Sequence, residues 1–288
     1  MKMIIKTVGV IVLVVIVVMG IMSSLNLSNR KYKKLVEDGL GNESKEKIEI
    51  ITSEDLDELP EPVRRYLDYV GVMGTEKVRN FRVVLDGEMK MDRDSKFTSH
   101  KAKQTSFIDQ GIRLFYMNLY MNGLKISGLH HFDNDDARMK IKVLDLFTVV
   151  DEQGENMKRA ETVTFFNDMV ILAPQTLISN QILWEEVDES SLKATFTHNG
   201  ITIHATLYFD EDGRLVNFVS EDRLALKNDG TTDSVPWSTP ISEYQEVNGL
   251  RLPKYGEAVW HFDDGDFTYI KLNVRNIEYN MDGFGARS

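Results

Sequence analysis

The sequence predicts an α+β fold: a large curved antiparallel β-sheet with a few packing helices and an N-terminal transmembrane helix ahead of it. Three observations predict it. Seven Asn-Gly or Asp-Gly pairs punctuate the chain, at 86–87, 122–123, 199–200, 212–213, 229–230, 248–249 and 264–265, and such pairs supply the positive φ angles of tight hairpins. Ile201, Ile203, Ala205, Leu207 and Phe209 alternate with Thr202, His204, Thr206 and Tyr208, the period of a strand with one buried face. Two stretches carry apolar residues at helical spacing. Helices therefore precede and interrupt runs of strands, which is the α+β order.

The elements follow in chain order. Val8 to Met22 is an apolar run, and counted from Met3 the stretch reaches about 20 residues, enough to cross a bilayer. It is longer than a usual secretory apolar region, and Met22-Ser23-Ser24-Leu25 is a poor cleavage site. Residues 1–24 read as a retained single-pass anchor, with an uncleaved signal segment as the alternative. Lys2 and Lys6 before the run nearly balance Arg30, Lys31, Lys33 and Lys34 after it. The short basic start leading straight into apolar sequence favours a cell-membrane protein whose remainder is extracytoplasmic. Residues 25–52 are polar, with Gly39, Gly41, Asn42 and Ser44, and read as a stalk.

A single β-rich domain is expected over 53–281, followed by a tail over 282–288. It opens with EPVRRYLDYVG, where Val63, Tyr66, Leu67 and Val70 make one helical stripe between Pro62 and Gly71. Strands begin near Val78. A second helix is expected over Asn156–Leu172, ending before Pro174, and strands resume after it.

Composition removes several functions. The chain has 45 acidic against 34 basic residues, and six of the basic ones fall in the first 34 residues, which hold no acid. The domain is thus strongly anionic and repels phosphates, so nucleic acid is not an expected partner. The absence of cysteine removes disulfides, thiol catalysis and cysteine-ligated metals. No nucleophile-elbow, zincin or phosphate-loop motif occurs, and no cofactor, metal site or catalytic residue is assigned. His130 and His131 with Asp133, Asp135 and Asp136 are close in sequence, but adjacent strand residues point to opposite faces; a solvated loop is the expectation. His261 with Asp263, Asp264 and Asp266 precedes a hairpin and is the remaining acid–base candidate. Asp210-Glu211-Asp212-Gly213 has its glycine at the wrong place for a calcium loop and reads as a turn.

Methionines and aromatics are the other feature. Phe115, Met117, Leu119, Met121, Phe165, Phe166, Met169, Trp184, Trp237 and Trp260 are candidates to line an apolar cavity inside a curved sheet, since Met adapts to irregular ligands.

Several segments carry a resemblance: LPEPVRRYLDYVG, VRNFRVVLDGEMKM, MKIKVLDLFTVVD, LYFDEDGRLVNF, and PWSTPISEYQEVNGLRLPKYGEAVWHFDDGDFTY followed by IEYN. From Leu59 to Asn280 the chain resembles a family of uncharacterised bacterial membrane-anchored proteins. That family has no established activity, so no catalytic residue is carried over. More distantly, Tyr244, Gly249 and Pro253 resemble a signature of the lipoprotein-carrier-like (LolA/LolB-like) superfamily. That resemblance implies an open half-barrel closed by helices, with a hydrophobic cavity for acyl chains. The expected function is a membrane-anchored extracytoplasmic binding protein for a lipid or other hydrophobic ligand. The alternatives are a hydrolase using a His–carboxylate pair, and a structural or sensory ectodomain with no small-molecule ligand. No protein partner is named by the sequence.

Overall fold

The computed structural model describes residues 18, 20, 26–134, 136–226 and 232–284. The anchor expected over 1–24 lies outside the described residues except for Val18 and Gly20, both helical, and Asp229-Gly230, Asp135 and the last four residues of the expected tail also lie outside them. Among the described residues no helix is long and apolar enough to cross a membrane.

The chain runs through helix α1 (Leu27–Gly41), a single turn α2 (Ser53–Leu56) and helix α3 (Glu61–Val70), then strands β1 (Asn80–Met89), β2 (Thr98–Phe107), β3 (Ile112–Met121), β4 (Leu124–Phe132), β5 (Ala137–Val143) and β6 (Phe147–Gln153). Helix α4 (Glu155–Leu172) and a 3₁₀ turn (Pro174–Ile178) separate these from β7 (Ile182–Asp188), β8 (Ser191–His198), β9 (Ile201–Phe209) and β10 (Leu215–Ser220). A small ladder of β11 (Ala225–Leu226) and β12 (Thr232–Asp233) leads to β13 (Trp237–Ser238), β14 (Ile241–Val247), β15 (Leu250–Phe262) and β16 (Gly265–Tyr279).

Fourteen of the described strands form one antiparallel sheet, ordered β6-β5-β4-β3-β2-β1-β16-β15-β13-β10-β9-β8-β7, with β14 on β15. The last strand closes on the first: Phe81 pairs with Tyr279 and Met89 with Ile270. Helix α4 touches β5 and β6 and also β9 and β10. These pairs lie near opposite ends of the strand order, so the sheet curls around the helix as a half-barrel. Irregular register at Val84/Leu85 and Ala258/Val259 supplies local bends.

Turn chemistry acts as expected at Asn122-Gly123, Asn199-Gly200 and Asn248-Gly249, where both residues have positive φ. Asp86-Gly87 is a correction: it is not a turn but the middle of β1. A Cβ at Gly87 would stand 1.8 Å from the Lys271 carbonyl oxygen, so the glycine is there to let β16 close against β1.

The expected stripe Val63, Tyr66, Leu67 and Val70 is fully buried. Pro62 lies in the first turn of α3 and Gly71 ends the helix in the left-handed region. Tyr66 donates to the Val170 carbonyl at 2.9 Å, tying α3 to α4. Of residues 25–52, expected as a stalk, the described ones from Asn26 pack onto the domain instead. Tyr32 and Val36 of α1 are completely buried against Phe107, Leu114, Tyr116 and Leu129 on the outer face of the sheet, and Tyr32 shares a 2.8 Å hydrogen bond with Thr105. Arg79 then donates to the carbonyls of Ser44 and Glu46 at 3.0 and 2.7 Å, and Ile50 bridges to Glu76. Four apolar groups on the sheet's outer side were waiting for a cover, and polar sequence spacing does not reveal that.

The signature residues serve this architecture. Tyr244 donates to the Leu215 carbonyl at 2.8 Å and meets the Tyr69 ring edge-on at 5.2 Å. Gly249 completes the β14–β15 turn. Pro253 pairs with Tyr244 on β14, and β15 pairs with β16 only from Tyr255 onward, so its missing N–H costs no ladder bond on that side.

Candidate functional site

Strand alternation assigns the two faces. Gln104 bonds Asp168 of α4, so His100, Ala102 and Gln104 of β2 face inward. Their cross-strand partners Leu119, Met117 and Phe115 face the same way, as do Ile126, Gly128 and His130 of β4 beyond them. Helix α4 fills one half of this inner face. The other half, towards the β3–β4 and β5–β6 turns, is walled by Met117, Leu119, Met121, Ile126, Ile141 and Val143, most of them only half-buried.

Where the halves meet lies a charged layer. The Arg113 guanidinium donates from Nε to Asp168 at 2.6 Å, from Nη1 to Glu161 at 2.9 Å and from Nη2 to Gln104 at 3.0 Å. His130 Nδ1 lies 2.7 Å from the other Glu161 oxygen. Phe115 lies against both groups, 5.2 Å from the guanidinium and edge-on to the His130 ring at 5.6 Å. Arg113, Glu161 and Asp168 are all buried. Burial alone would raise the Glu161 carboxyl, but Arg113 and His130 overcome it and hold it down to about 2. Burial wins at Asp168, which is raised despite Arg113. The two acids sit seven residues apart, on one face of α4. Sequence reasoning did not single out Arg113, Glu161, Asp168 or Gln104. The available signal was two acids seven residues apart in a helix that also carries Val163, Phe165, Phe166, Met169 and Val170; the structure buries it on all sides from Glu161 to Leu172, so each acid needs a partner.

Above this layer the inner face is incompletely filled. Gly128 is itself buried, yet a Cβ built on it meets no atom within 4 Å. It lies between Met117 and Ile141. One rung on, His100 is 2% exposed and neither ring nitrogen has a hydrogen-bond partner. Burial pushes it down to about 4, so it is a neutral imidazole at pH 7. Two unpaired ring nitrogens in a buried site are costly and uncommon.

The ten cavity candidates divide. Met117, Leu119 and Met121 line the unfilled half. Phe115 belongs to the charged layer. Phe165, Phe166 and Met169 are core, with Phe166 stacked on Phe196 at 4.8 Å. Trp184 packs on that core from β7. Trp237 bonds Tyr269 through its indole N–H at 3.2 Å, and Trp260 stacks on the same Tyr269 ring. Arg223 caps both indoles at 4.6 and 5.5 Å. These residues do not meet in one cavity. Two grooves, about 330 and 230 Å³, lie apart from this inner face; the first, beside Lys90, Arg93 and Lys271, is mainly polar, and the second, beside Lys101, Lys103 and Arg275, is mainly apolar.

The histidines are also placed. His130 and His131 do diverge, but both stand in β4 rather than in a loop; His131 reaches Asp133 at 3.1 Å. His261 lies 2.7 Å from Asp266 through Nδ1 and 2.8 Å from the Ser238 hydroxyl through Nε2. This Ser–His–Asp row has the order of an acyl-transfer relay. Ser238, however, is 1% exposed and set mid-sheet between Val219 and Val259. Its hydroxyl has no approach for a substrate carbonyl. Among the described residues no group of His, Asp and Glu is arranged to hold a metal ion.

Residues 49–272 match a family described as "Family of unknown function (DUF6544)". No curated protein matches the chain. Among solved structures the chain is similar to a DUF1329 family protein from Desulfovibrio piger, at 12% identity over 76% of this chain and 90% of that one, with a TM-score of 0.41. It is similar to a LolA superfamily protein from Nitrosomonas europaea at 9% identity, 80% and 94% coverage and a TM-score of 0.39. A Vibrio parahaemolyticus domain, named by assignment only as outer membrane lipoprotein-sorting, aligns at 9% identity, 69% and 85% coverage and a TM-score of 0.40. Likeness at this level supplies no ligand, partner or activity for this chain.

Proposed function

Because the chain belongs to the DUF6544 family of unknown function, we propose its role from its own residues: a membrane-anchored extracytoplasmic protein that binds a hydrophobic, lipid-like ligand in the hollow over Gly128. The observation behind this reading is that hollow. An apolar wall of Met and branched side chains borders it, and a buried glycine leaves it unfilled. Interiors are normally packed to crystal density, so open space beside Met117 and Ile141 is exceptional. A few polar groups inside an apolar site usually orient the ligand. On the same inner face, two strands from Gly128, His100 is a buried imidazole without a hydrogen-bond partner, able to donate or accept without carrying charge.

The test is native mass spectrometry of the detergent-solubilised full chain, paired with displacement of the uncharged dye Nile red by 1-dodecanol. Expected are co-purified lipid-sized adducts and saturable displacement. A protein that carries no adduct and does not take up the dye has no such site. The hydrolase alternative rests on the Ser238–His261–Asp266 row, and the buried hydroxyl argues against it. Accordingly His261→Ala is expected to leave any hydrolysis of p-nitrophenyl esters at the wild-type level; a clear wild-type rate lost in that variant would reinstate the enzyme reading.

A further inference from the structure

Along β3–β6 the two ends of the sheet differ in chemistry, although the neighbouring β1–β2 loop at the second end is charged, with Lys90, Asp92, Arg93, Asp94 and Lys96. At one rim the β2–β3 turn holds Asp109 and Gln110, and the β4–β5 turn holds Asp133, Asn134 and Asp136. At the other rim, around the β3–β4 and β5–β6 turns, stand Tyr120, Leu124, Leu146 and Phe147, between 45% and 65% exposed. Scattered exposed apolar residues are ordinary, but a group of them at one rim marks a contact surface. The β5–β6 turn is also strained. Leu144 and Asp145 hold φ of 55° and 58°, a region that bulky side chains avoid. Asp145 is kept there by Lys125 at 3.3 Å and by the Ser127 hydroxyl.

Helix α1 runs from one rim to the other. At its start, Asn26 lies 3.5 Å from Lys125 and Ser28 lies 3.4 Å from Ser127, at the apolar rim. At its end, the Gly39 carbonyl accepts from Gln110 at 3.0 Å, at the polar rim. Asn26, the residue that follows the apolar N-terminal stretch and Leu25 in the sequence, therefore stands at the apolar rim. The unfilled half of the inner face ends at the same rim, since Met121 pairs with Leu124 and Val143 with Phe147.

We infer that this rim docks on the surface of the bilayer that holds the chain's own N-terminal segment, with the mouth of the hollow turned towards lipid. The inference rests on the anchored-binding reading above and adds its geometry. Tyr120 places an amphipathic ring at the headgroup level, and Leu124, Leu146 and Phe147 enter the acyl boundary. A ligand then passes between bilayer and hollow without crossing water.

The chain has no cysteine, so a single introduced thiol carries a unique label. Full-length Leu146→Cys and Asp109→Cys, each labelled with acrylodan, are reconstituted into phosphatidylcholine vesicles with and without brominated acyl chains. The label at 146 is expected to be quenched at least about twofold more than that at 109. Adding Tyr120→Asp, Leu124→Asp and Phe147→Asp to Leu146→Cys, all at exposed sites, should bring its quenching down to the level at 109. Equal quenching at 146 and 109 overturns the docking while leaving the anchor and the hollow standing. Shielding at 146 that ignores bromination and grows with protein-to-lipid ratio assigns the rim to a second copy of the chain and also overturns it. Failure of the full chain to enter vesicles removes the anchor, and the docking with it.

Discussion

Arg113→Met is expected to destabilise the domain by about 3–5 kcal/mol, the usual cost of leaving buried charge without its partner. The guanidinium is the common partner of Glu161, Asp168 and Gln104, each within 3.0 Å. Methionine keeps most of the volume and the contact with Phe115, so the loss reads out electrostatics and hydrogen bonding rather than a void. A urea midpoint measured by circular dichroism checks it, with an unchanged slope showing that the same fold is being unfolded. The pH dependence has a definite sign. In the wild type Glu161 is held down to about 2, so its stabilisation is present above its unfolded pKa near 4.3 and is lost as pH falls through its folded one. Asp168, raised by burial, works in the opposite direction, because the native state holds its proton more tightly. In the variant both carboxyls lose their cation and both rise. The native state then binds more protons than the unfolded one, and the gap between variant and wild type should narrow from pH 7 to pH 5. A gap that is constant or widens on acidification would show that Arg113 acts through packing.

Gly128→Trp is expected to abolish ligand uptake while the protein remains folded. A Cβ at this position meets nothing within 4 Å, so the side chain starts into open space, and an aromatic residue suits a strand. Filling the hollow removes the volume that an acyl chain would occupy. The loss of Nile red and dodecanol binding should be at least tenfold, about 1.4 kcal/mol or more, with a far-ultraviolet spectrum like that of the wild type. Unchanged binding in a folded Gly128→Trp protein would place the ligand elsewhere. Trp237→Phe provides the contrast, because Trp237 is core beneath Arg223 and should leave binding unaffected.

Much of the architecture is legible without coordinates, and the failures are informative. Ile203, Ala205 and Leu207 announce a strand with one buried face, and that is β9. The stripe Val63, Tyr66, Leu67 and Val70 announces α3 together with its stop at Gly71. Asp86-Gly87 has the same composition as a hairpin turn but lies inside a strand, because the close approach of Lys271 also requires a glycine. Of the site, Met117, Leu119 and Met121 were visible as part of a dense group of methionines and aromatics. Gly128 and His100 were not, since neither a lone strand glycine nor a lone histidine is distinctive until its neighbours are known.

By itself, then, the sequence determined what depends on neighbouring residues: strand and helix periods, the hairpin turns, the acidic surface and the apolar N-terminal segment. Tertiary structure alone decided the rest. It paired Phe81 with Tyr279 to close the sheet, laid Tyr32 and Val36 over its outer face, gathered Arg113 with Glu161 and Asp168, and left a space above Gly128. The physical reason is the range of the interactions. Local periodicity reports which face of an element is apolar, whereas what covers that face, and whether the cover is complete, is settled by contacts made scores or hundreds of residues away along the chain.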